Sequence, residues 1–194
     1  MSLLEKIRKF YHSDSFLAGL FRDLVFVFVV VAVFSFASQV IFGLWTPMVA
    51  VESESMVPNI QIGDIIFMES MERTVVVTNA EGIQKNYTSF GEYGDVILYK
   101  PFGMGDRTPI IHRAMYYVET GGPMWSGGPP APHAGYITKG DHNPSYDQKG
   151  SISYLQPVKK EWVTGVARIS RVPVLGCISL AARGNDACLK HLWT

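Results

Sequence analysis

The fold is decided by the stretch P-I-I-H-R-A-M-Y-Y-V-E, residues 109–119. Its β-branched and aromatic residues are typical of a strand, and no amphipathic helix of any length is predicted between it and the similar runs around it. We therefore predict a domain of mostly antiparallel β structure. The other predicted strands are residues 60–68, 74–78, 95–100, 136–139 and 162–171.

An uninterrupted apolar segment precedes this domain. Residues 24–45 contain no charged side chain, and as a helix rising about 1.5 Å per residue they would cross a hydrocarbon core of about 30 Å. A cleaved signal peptide is the alternative, but its apolar core is only about 7 to 15 residues long. We predict an N-terminal segment 1–23, a transmembrane helix 24–45 and a β-rich domain 46–194.

Charges on the two sides of the apolar segment predict its orientation. Cations precede the segment, and the first charges after it are carboxylates. The positive-inside rule then places the N-terminus in the cytoplasm and the β-rich domain outside the cell membrane, on a single-pass anchor. The cations are Lys6, Arg8, Lys9 and Arg22, and the carboxylates are Glu52 and Glu54.

Composition narrows the possible partners. Charged residues make up 18% of the chain, below the usual quarter, and 47% of the residues are hydrophobic, which favours a membrane-bound protein. The formal net charge is zero, so nothing predicts binding to nucleic acid. The two cysteines, Cys177 and Cys188, either form a disulfide outside the cell or stay as free thiols.

Two further segments carry weaker signals. Residues 121–135 are rich in Gly and Pro without any periodicity, which predicts a long surface loop. Residues 172–182 are apolar but too short to span a membrane as a helix. We expect this second segment to be a final strand or an interfacial segment.

The first candidate site residues are two serines directly after the apolar segment. In S-E-S-M-V-P, residues 53–58, an extended backbone would point Ser53 and Ser55 to the same face. One hydroxyl could then act as a nucleophile, and the other could donate to the same reacting oxygen. Met56 would supply an adaptable apolar wall, and Pro58 disfavours helix at Val57. An ordinary serine-rich connector is the alternative.

A histidine and two carboxylates could complete such a site. With period-2 alternation His112 shares a strand face with Ile110, Ala114, Tyr116 and Val118, so it is either a hydrogen-bonded core histidine or a base in a dry site. The turn G-D-H-N-P-S-Y-D, residues 140–147, offers Asp141 and Asp147 to an imidazole. Serine, histidine and aspartate are the three parts of an activated hydroxyl nucleophile.

A metal site is the rival use of the same residues. It would draw on His112, His133, His142, Asp141 and Asp147, but no pair has the i, i+4 spacing of a helical zinc motif. We therefore predict neither a metal nor another cofactor.

These motifs, taken in order, are similar to those of a known family. The sequence resembles the membrane-bound type I signal peptidases, in the archaeal and endoplasmic-reticulum branch that has a histidine where bacterial enzymes have a lysine. The motifs are S-E-S-M-V-P at 53–58, G-D-I-I-F at 63–67, G-D-V-I-L-Y at 94–99, I-I-H-R at 110–113 and T-K-G-D-H-N-P-S-Y-D at 138–147.

The resemblance implies a role for each matched residue. Ser55 would be the nucleophile, and Ser53 would help to hold the oxyanion. His112 would be the general base, oriented by Asp147 and supported by Asp141.

The resemblance also implies a fold, a reaction and partners. It implies a signal-peptidase-like β domain resting on the bilayer, to whose apolar surface Val49, Val51, Met56 and Val57 could contribute. The reaction would be removal of signal peptides from secretory preproteins after small residues, with substrate-pocket positions at Met56, Val57 and Pro58. Preproteins, the lipid bilayer and the protein-export machinery are the expected partners. Two alternatives are a non-catalytic β domain of the export machinery and a dedicated serine peptidase of the same fold.

Overall fold

The computed structural model describes Glu5, Ser13, residues 15–172, residues 175–184 and Cys188. The chain divides after Ile41 into an N-terminal unit and a β-rich unit. Three of the cations on which the predicted orientation rests, Lys6, Arg8 and Lys9, lie outside the described residues.

A single long helix, α1 (Phe16–Phe42), makes up most of the described N-terminal unit. It begins where the Ser15 hydroxyl accepts a hydrogen bond from the N–H of Ala18, at 3.3 Å, and it ends before Gly43, which has a φ of 71°. It starts earlier than the predicted residue 24, because the helix continues back through the charged pair Arg22 and Asp23 to the cap at Ser15. Within the described residues, it is the one helix long and apolar enough to cross a membrane.

The β-rich unit contains the strands β1 (Met48–Ala50), β2 (Ile65–Glu69), β3 (Thr88–Ser89), β4 (Glu92–Tyr93), β5 (Val96–Tyr99), β6 (Ile110–Val118), β7 (Gly135–Lys139) and β8 (Val163–Val172). Six of them form an antiparallel sheet with the order β1-β2-β8-β5-β6-β7. A separate two-stranded ribbon pairs β3 with β4. This architecture confirms the predicted mainly β fold preceded by one apolar helix. The helices of this unit are α2 (Asn79–Lys85) and α3 (Leu175–Ala182).

Four of the predicted strands are confirmed. The predictions at 95–100, 109–119, 136–139 and 162–171 correspond to β5 to β8. In the strand predicted at 60–68, only residues 65–68 are strand. Residues 60–64 form turns instead, and there Asp64 Oδ2 accepts the N–H of Gln61. Strand β1 was missed, since it immediately follows the apolar segment and lacks a pattern of its own.

The strand predicted at 74–78 is wrong. The backbone N–H of Val77 donates to Asp95 Oδ2 at 2.8 Å, and the N–H of Asp95 donates to the carbonyl of Val77 at 2.7 Å. Thr78 instead caps helix α2, where its side chain and that of Glu81 form a reciprocal capping box. A single aspartate therefore takes the bonds that a strand partner would make.

The loop at 121–135 is folded rather than fully exposed. Met124 and Ala131 are buried in a small apolar cluster, and Tyr116 donates its hydroxyl to the carbonyl of Met124 at 2.7 Å. A bridge joins Pro123 to Pro130. The prediction of a surface loop therefore holds for most of the segment, in which Gly121, Pro123, Ser126, Gly127, Pro129, Pro130 and Pro132 are exposed, but not for Met124 and Ala131.

The C-terminal segment is a helix, not the strand that we offered as one expectation. Cys177 in α3 forms a disulfide with Cys188, with 5.4 Å between their Cα atoms. Both cysteines are buried with Leu180 against Ala50 and Ile62. Of the two alternatives for the cysteines, the structure has the disulfide.

Strand β5 lies in the middle of the sheet and is buried on both faces. Val96 and Leu98 join one core cluster, whereas Ile97 and Tyr99 join the other. This double burial explains why β5 is a continuous apolar run without alternation.

Candidate active site

Three neighbouring strands place polar side chains on one face of the sheet. His112 of β6 lies opposite Ile97 of β5, so it shares a face with Tyr99 two residues further along. Thr138 of β7 lies opposite Ala114, which is on the same face of β6 as His112. Tyr99, His112 and Thr138 are all buried.

Asp147 meets these side chains from a short 3-10 helix, Asp147–Lys149, that follows β7. Its Oδ2 atom lies 2.7 Å from Nδ1 of His112. The exposed fraction is 2% for His112 and 3% for Asp147, so the pair is shielded from water. A carboxylate at Nδ1 holds the proton on that nitrogen and leaves Nε2 as the basic atom of the ring.

Two hydroxyl groups complete the surroundings of Asp147. Tyr99 donates to Oδ2 at 2.9 Å, and Thr138 donates to the same oxygen at 2.7 Å. Burial and the neighbouring Asp147 carboxylate raise the pKa of Tyr99 well above its ordinary value, so the phenol stays a proton donor. Neither residue was predicted to belong to the site, although Tyr99 ends the motif G-D-V-I-L-Y and Thr138 begins the motif T-K-G-D-H-N-P-S-Y-D.

Asp141 has a different partner. It forms two parallel hydrogen bonds with Arg113, at 2.8 and 2.7 Å, and it accepts the side-chain amide of Asn59 at 2.8 Å. Arg113 follows His112 in β6, so its side chain points to the opposite face of the sheet. Arg113 also donates to the backbone carbonyls of Ser89, Phe90, Glu92 and Gly94.

The two serines lie in a loop of successive turns rather than in a strand. The hydroxyl oxygens of Ser53 and Ser55 are 3.2 Å apart, so the structure brings these two groups together. The carbonyl of Ser55 accepts the N–H of His142 at 2.9 Å. The serine loop is thereby tied to the same turn that carries Asp141 and Asp147.

Ser55 and His112 line one groove of about 860 Å³. Since Asp147 engages Nδ1, the Nε2 atom of His112 is the ring nitrogen available to the groove. Apolar residues of β1, β5 and β6 supply much of the wall of this groove. None of them was predicted from the sequence as a pocket residue. The lining includes Met48, Val49, Ala50, Val51, Leu98, Ile110 and Ile111, together with Glu52, Ser53, Asn143, Ile152 and Arg183.

The predicted pocket residues Met56, Val57 and Pro58 are not among the residues that line this groove. Met56 is fully buried in the core, where its sulfur accepts the N–H of Asp141 at 3.5 Å. Pro58 lines a separate cavity of about 190 Å³ beside Arg113. Because Met56 packs inward, it supports the serine loop from behind instead of forming a wall of the groove.

The suggested apolar surface also needs correction. Val51 and Met56 have exposed fractions of 2% and 0%, so neither can contribute to a surface.

The residues of the rival metal site are engaged elsewhere. His133 contacts Gln156 at 2.8 Å through Nε2, and Asp141 is held by Arg113. Across the described part of the chain, no three His, Cys, Asp or Glu side chains come together as metal ligands.

Two comparisons with known proteins bear on the family of the chain. No family model matches it. It is 30% identical over 141 residues to the signal peptidase complex catalytic subunit sec11 of Schizosaccharomyces pombe. The chain is a relative of the type I signal peptidases of the endoplasmic-reticulum and archaeal branch. The match covers 70% of the chain but 66% of that relative, just under two thirds of its length.

Proposed function

We propose that this signal-peptidase relative is a membrane-bound serine endopeptidase that removes signal peptides from secretory preproteins. The relationship to a signal peptidase catalytic subunit supports this activity in general. The observation that carries the proposal is the buried His112–Asp147 pair, at 2.7 Å, whose histidine lines the same groove as Ser55.

In the first half of the proposed reaction, the Ser55 hydroxyl attacks the carbonyl carbon of the scissile peptide bond. His112 takes the hydroxyl proton at Nε2, and Asp147 stabilises the imidazolium that results. Ser53 and the backbone N–H of Ser55 donate to the oxyanion of the tetrahedral intermediate. The C–N bond then breaks, and the imidazolium gives its proton to the leaving amine.

In the second half, water releases the bound signal peptide. His112 takes a proton from the water molecule, and the resulting hydroxide attacks the ester carbonyl carbon of the acyl-enzyme. The ester bond to Ser55 breaks, and its oxygen recovers the proton from His112. Asp141 takes part in neither half of the reaction. We assign it a supporting role, because its carboxylate accepts the side-chain amide of Asn59 and its backbone N–H donates to the sulfur of Met56, and both contacts hold the serine loop.

We further propose that cleavage takes place at the outer face of the cell membrane. Helix α1 is long and apolar enough to cross a bilayer. The positive-inside rule, applied to the charges on its two sides, would place its N-terminus in the cytoplasm. A substrate with its own apolar segment would be confined to the same membrane. We also propose the protein-export machinery as a partner. Cleavage after small side chains belongs to the same proposal.

The test is cleavage of a secretory preprotein by the full-length protein in liposomes. Ser55→Ala should abolish cleavage, and Ser53→Ala should lower turnover by about 100-fold, as expected for loss of one oxyanion donor. Ser126→Ala is the matched control, because Ser126 is exposed in the loop at 121–135 and should leave turnover unchanged. Undiminished cleavage by Ser55→Ala would rule out the proposed nucleophile.

The same assay separates the two alternative functions. A non-catalytic β domain would cleave no preprotein, and Ser55→Ala would not differ from the wild type. A dedicated peptidase would cut one substrate, or itself, but not a panel of unrelated preproteins. We expect cleavage across the panel.

A further inference from the structure

We propose that Tyr99 and Thr138 are positioning residues for the general base, and this role rests on the proposed serine peptidase function. They would act through Asp147, by fixing which oxygen of its carboxylate faces His112. Neither residue lines the groove, so neither would touch the substrate.

The first observation is that one carboxylate oxygen has all the partners. Oδ2 of Asp147 accepts hydrogen bonds from His112, Tyr99 and Thr138, at 2.7, 2.9 and 2.7 Å. Oδ1 is buried and has no partner among the described residues. Without the two hydroxyl donors, nothing in the described contacts would make Oδ2 rather than Oδ1 the oxygen that faces the imidazole.

The second observation is that the direction of the Thr138 hydrogen bond is forced. The backbone N–H of Thr138 can only donate, and it donates to Oε1 of Gln148 at 3.1 Å. The amide of Gln148 therefore presents Nε2 to the Thr138 hydroxyl, at 3.2 Å, and Nε2 can only donate. The hydroxyl oxygen accepts this bond, so its own proton is left to donate, and Oδ2 of Asp147 at 2.7 Å is a closer acceptor than the Tyr99 hydroxyl oxygen at 3.4 Å.

The third observation concerns charge. Among the described residues, the one ion pair of Asp147 is with His112. Arg113 points away from this face and is engaged with Asp141, so on its buried side the imidazole faces Asp147 and the two neutral hydroxyl donors. The other charged residues of the groove that His112 lines are Glu52 and Arg183. Tyr99 stays protonated at neutral pH, because burial and Asp147 raise its pKa. The donors are therefore constant while the imidazole gains and loses its proton.

These contacts predict two kinetic effects of removing one donor. The carboxylate becomes less well oriented, so proton transfer to Nε2 is slower. Its negative charge is also less dispersed, so the imidazolium is held more tightly and the acidic limb of the pH profile moves to higher pH.

The experiment uses the full-length protein in liposomes with a preprotein substrate. Tyr99→Phe keeps the ring and removes only the hydroxyl, and we expect kcat to fall by about 10-fold with KM unchanged. Thr138→Val should act in the same way, whereas Thr138→Ser retains the hydroxyl and should recover activity. The pH at half-maximal turnover should rise in Tyr99→Phe and Thr138→Val but not in Thr138→Ser.

A second measurement does not depend on cleavage. In the Ser55→Ala background, the Nδ1–H proton of His112 should give a strongly downfield NMR resonance, assigned by its loss in His112→Gln. Adding Tyr99→Phe should shift or broaden this resonance.

The two measurements separate the two proposals. Unchanged cleavage by Ser55→Ala overturns the proposed function, whatever the resonance does. An unchanged pH profile and an unchanged resonance in Tyr99→Phe overturn the positioning role, even if Ser55 is the nucleophile.

Discussion

The two carboxylates of the turn at 140–147 serve different partners, because strand alternation separates the residues that they contact. His112 and Arg113 are adjacent in β6, so they point to opposite faces of the sheet. Asp147 meets His112 on one face, and Asp141 meets Arg113 on the other. The sequence motif presents both carboxylates to the same region, but only one of them contacts the imidazole.

We predict that Asp147→Asn lowers preprotein cleavage by about 10⁴-fold in a folded protein, as for an orienting aspartate in a triad. Asp141→Asn should instead lower the free energy of unfolding by about 3 to 5 kcal/mol, because it leaves the buried Arg113 without its counter-charge. Turnover and denaturant unfolding of both variants in one preparation would check this difference. An inactive, stable Asp141→Asn together with an active Asp147→Asn would reverse the two roles.

We also predict that His112→Lys is inactive, although the bacterial branch uses a lysine. The lysine ammonium would lie beside the buried Asp147 carboxylate, and this ion pair would keep it protonated and therefore unable to act as a base. Cleavage should be measured over a range of pH with the wild type as reference. Turnover of about a tenth of the wild-type value or more at neutral pH would contradict this account of the pocket.

At the scale of elements, the site depends on the close approach of two loops. The loop after β7 and the serine loop are joined where the carbonyl of Ser55 accepts the N–H of His142. A Cβ atom on Gly140 would lie 2.6 Å from the carbonyl oxygen of Ser55 and 2.7 Å from the side-chain amide of Asn143. Only glycine allows the loops this spacing, so Gly140 fixes the position of Ser55 relative to the turn that carries Asp147.

Gly140→Ala should therefore displace the serine loop and lower turnover by on the order of 100-fold, the cost of a misplacement of about 1 Å. Gly150→Ala is the matched control, because a Cβ atom there would meet the carbonyl oxygen of Asp147 at an ordinary van der Waals distance of 3.9 Å. Cleavage rates and unfolding midpoints of both variants should be compared. Equal turnover in the two would show that the loop spacing does not control the nucleophile.

At the scale of the whole molecule, the proposed orientation is tested by thiol labelling. The native cysteines are paired, so an introduced cysteine is the reactive thiol. Gly105→Cys, at an open site in the β-rich unit, should react with a membrane-impermeant maleimide in sealed right-side-out vesicles. Glu5→Cys, before α1, should react only after lysis. The opposite pattern would place the β-rich unit in the cytoplasm.

The sequence alone predicts the apolar helix and four of the sheet strands, and it supplies the candidates for the proposed site, although Met56, Val57 and Pro58 do not line the groove. These features depend on local properties: the length of an apolar run, period-2 alternation, and chemically distinctive side chains at short spacing. The prediction of a strand at 74–78 was wrong because it too rested on a local property. A β-branched run favours extended backbone, but it does not show which groups the backbone N–H and C=O groups will bond. There, Asp95 takes the bonds, from a position distant in sequence.

The contacts between distant segments follow from the tertiary structure. It pairs Cys177 with Cys188 and buries Met56 behind the serine loop. The residues of the turn left both Asp141 and Asp147 open as partners of His112, and the contact is with Asp147, the residue to which the family resemblance gives this role. The tertiary structure also brings Tyr99 and Thr138 to the same carboxylate oxygen. Strand register and loop packing set these contacts, and both depend on pairings between segments far apart in the chain, which no local pattern encodes.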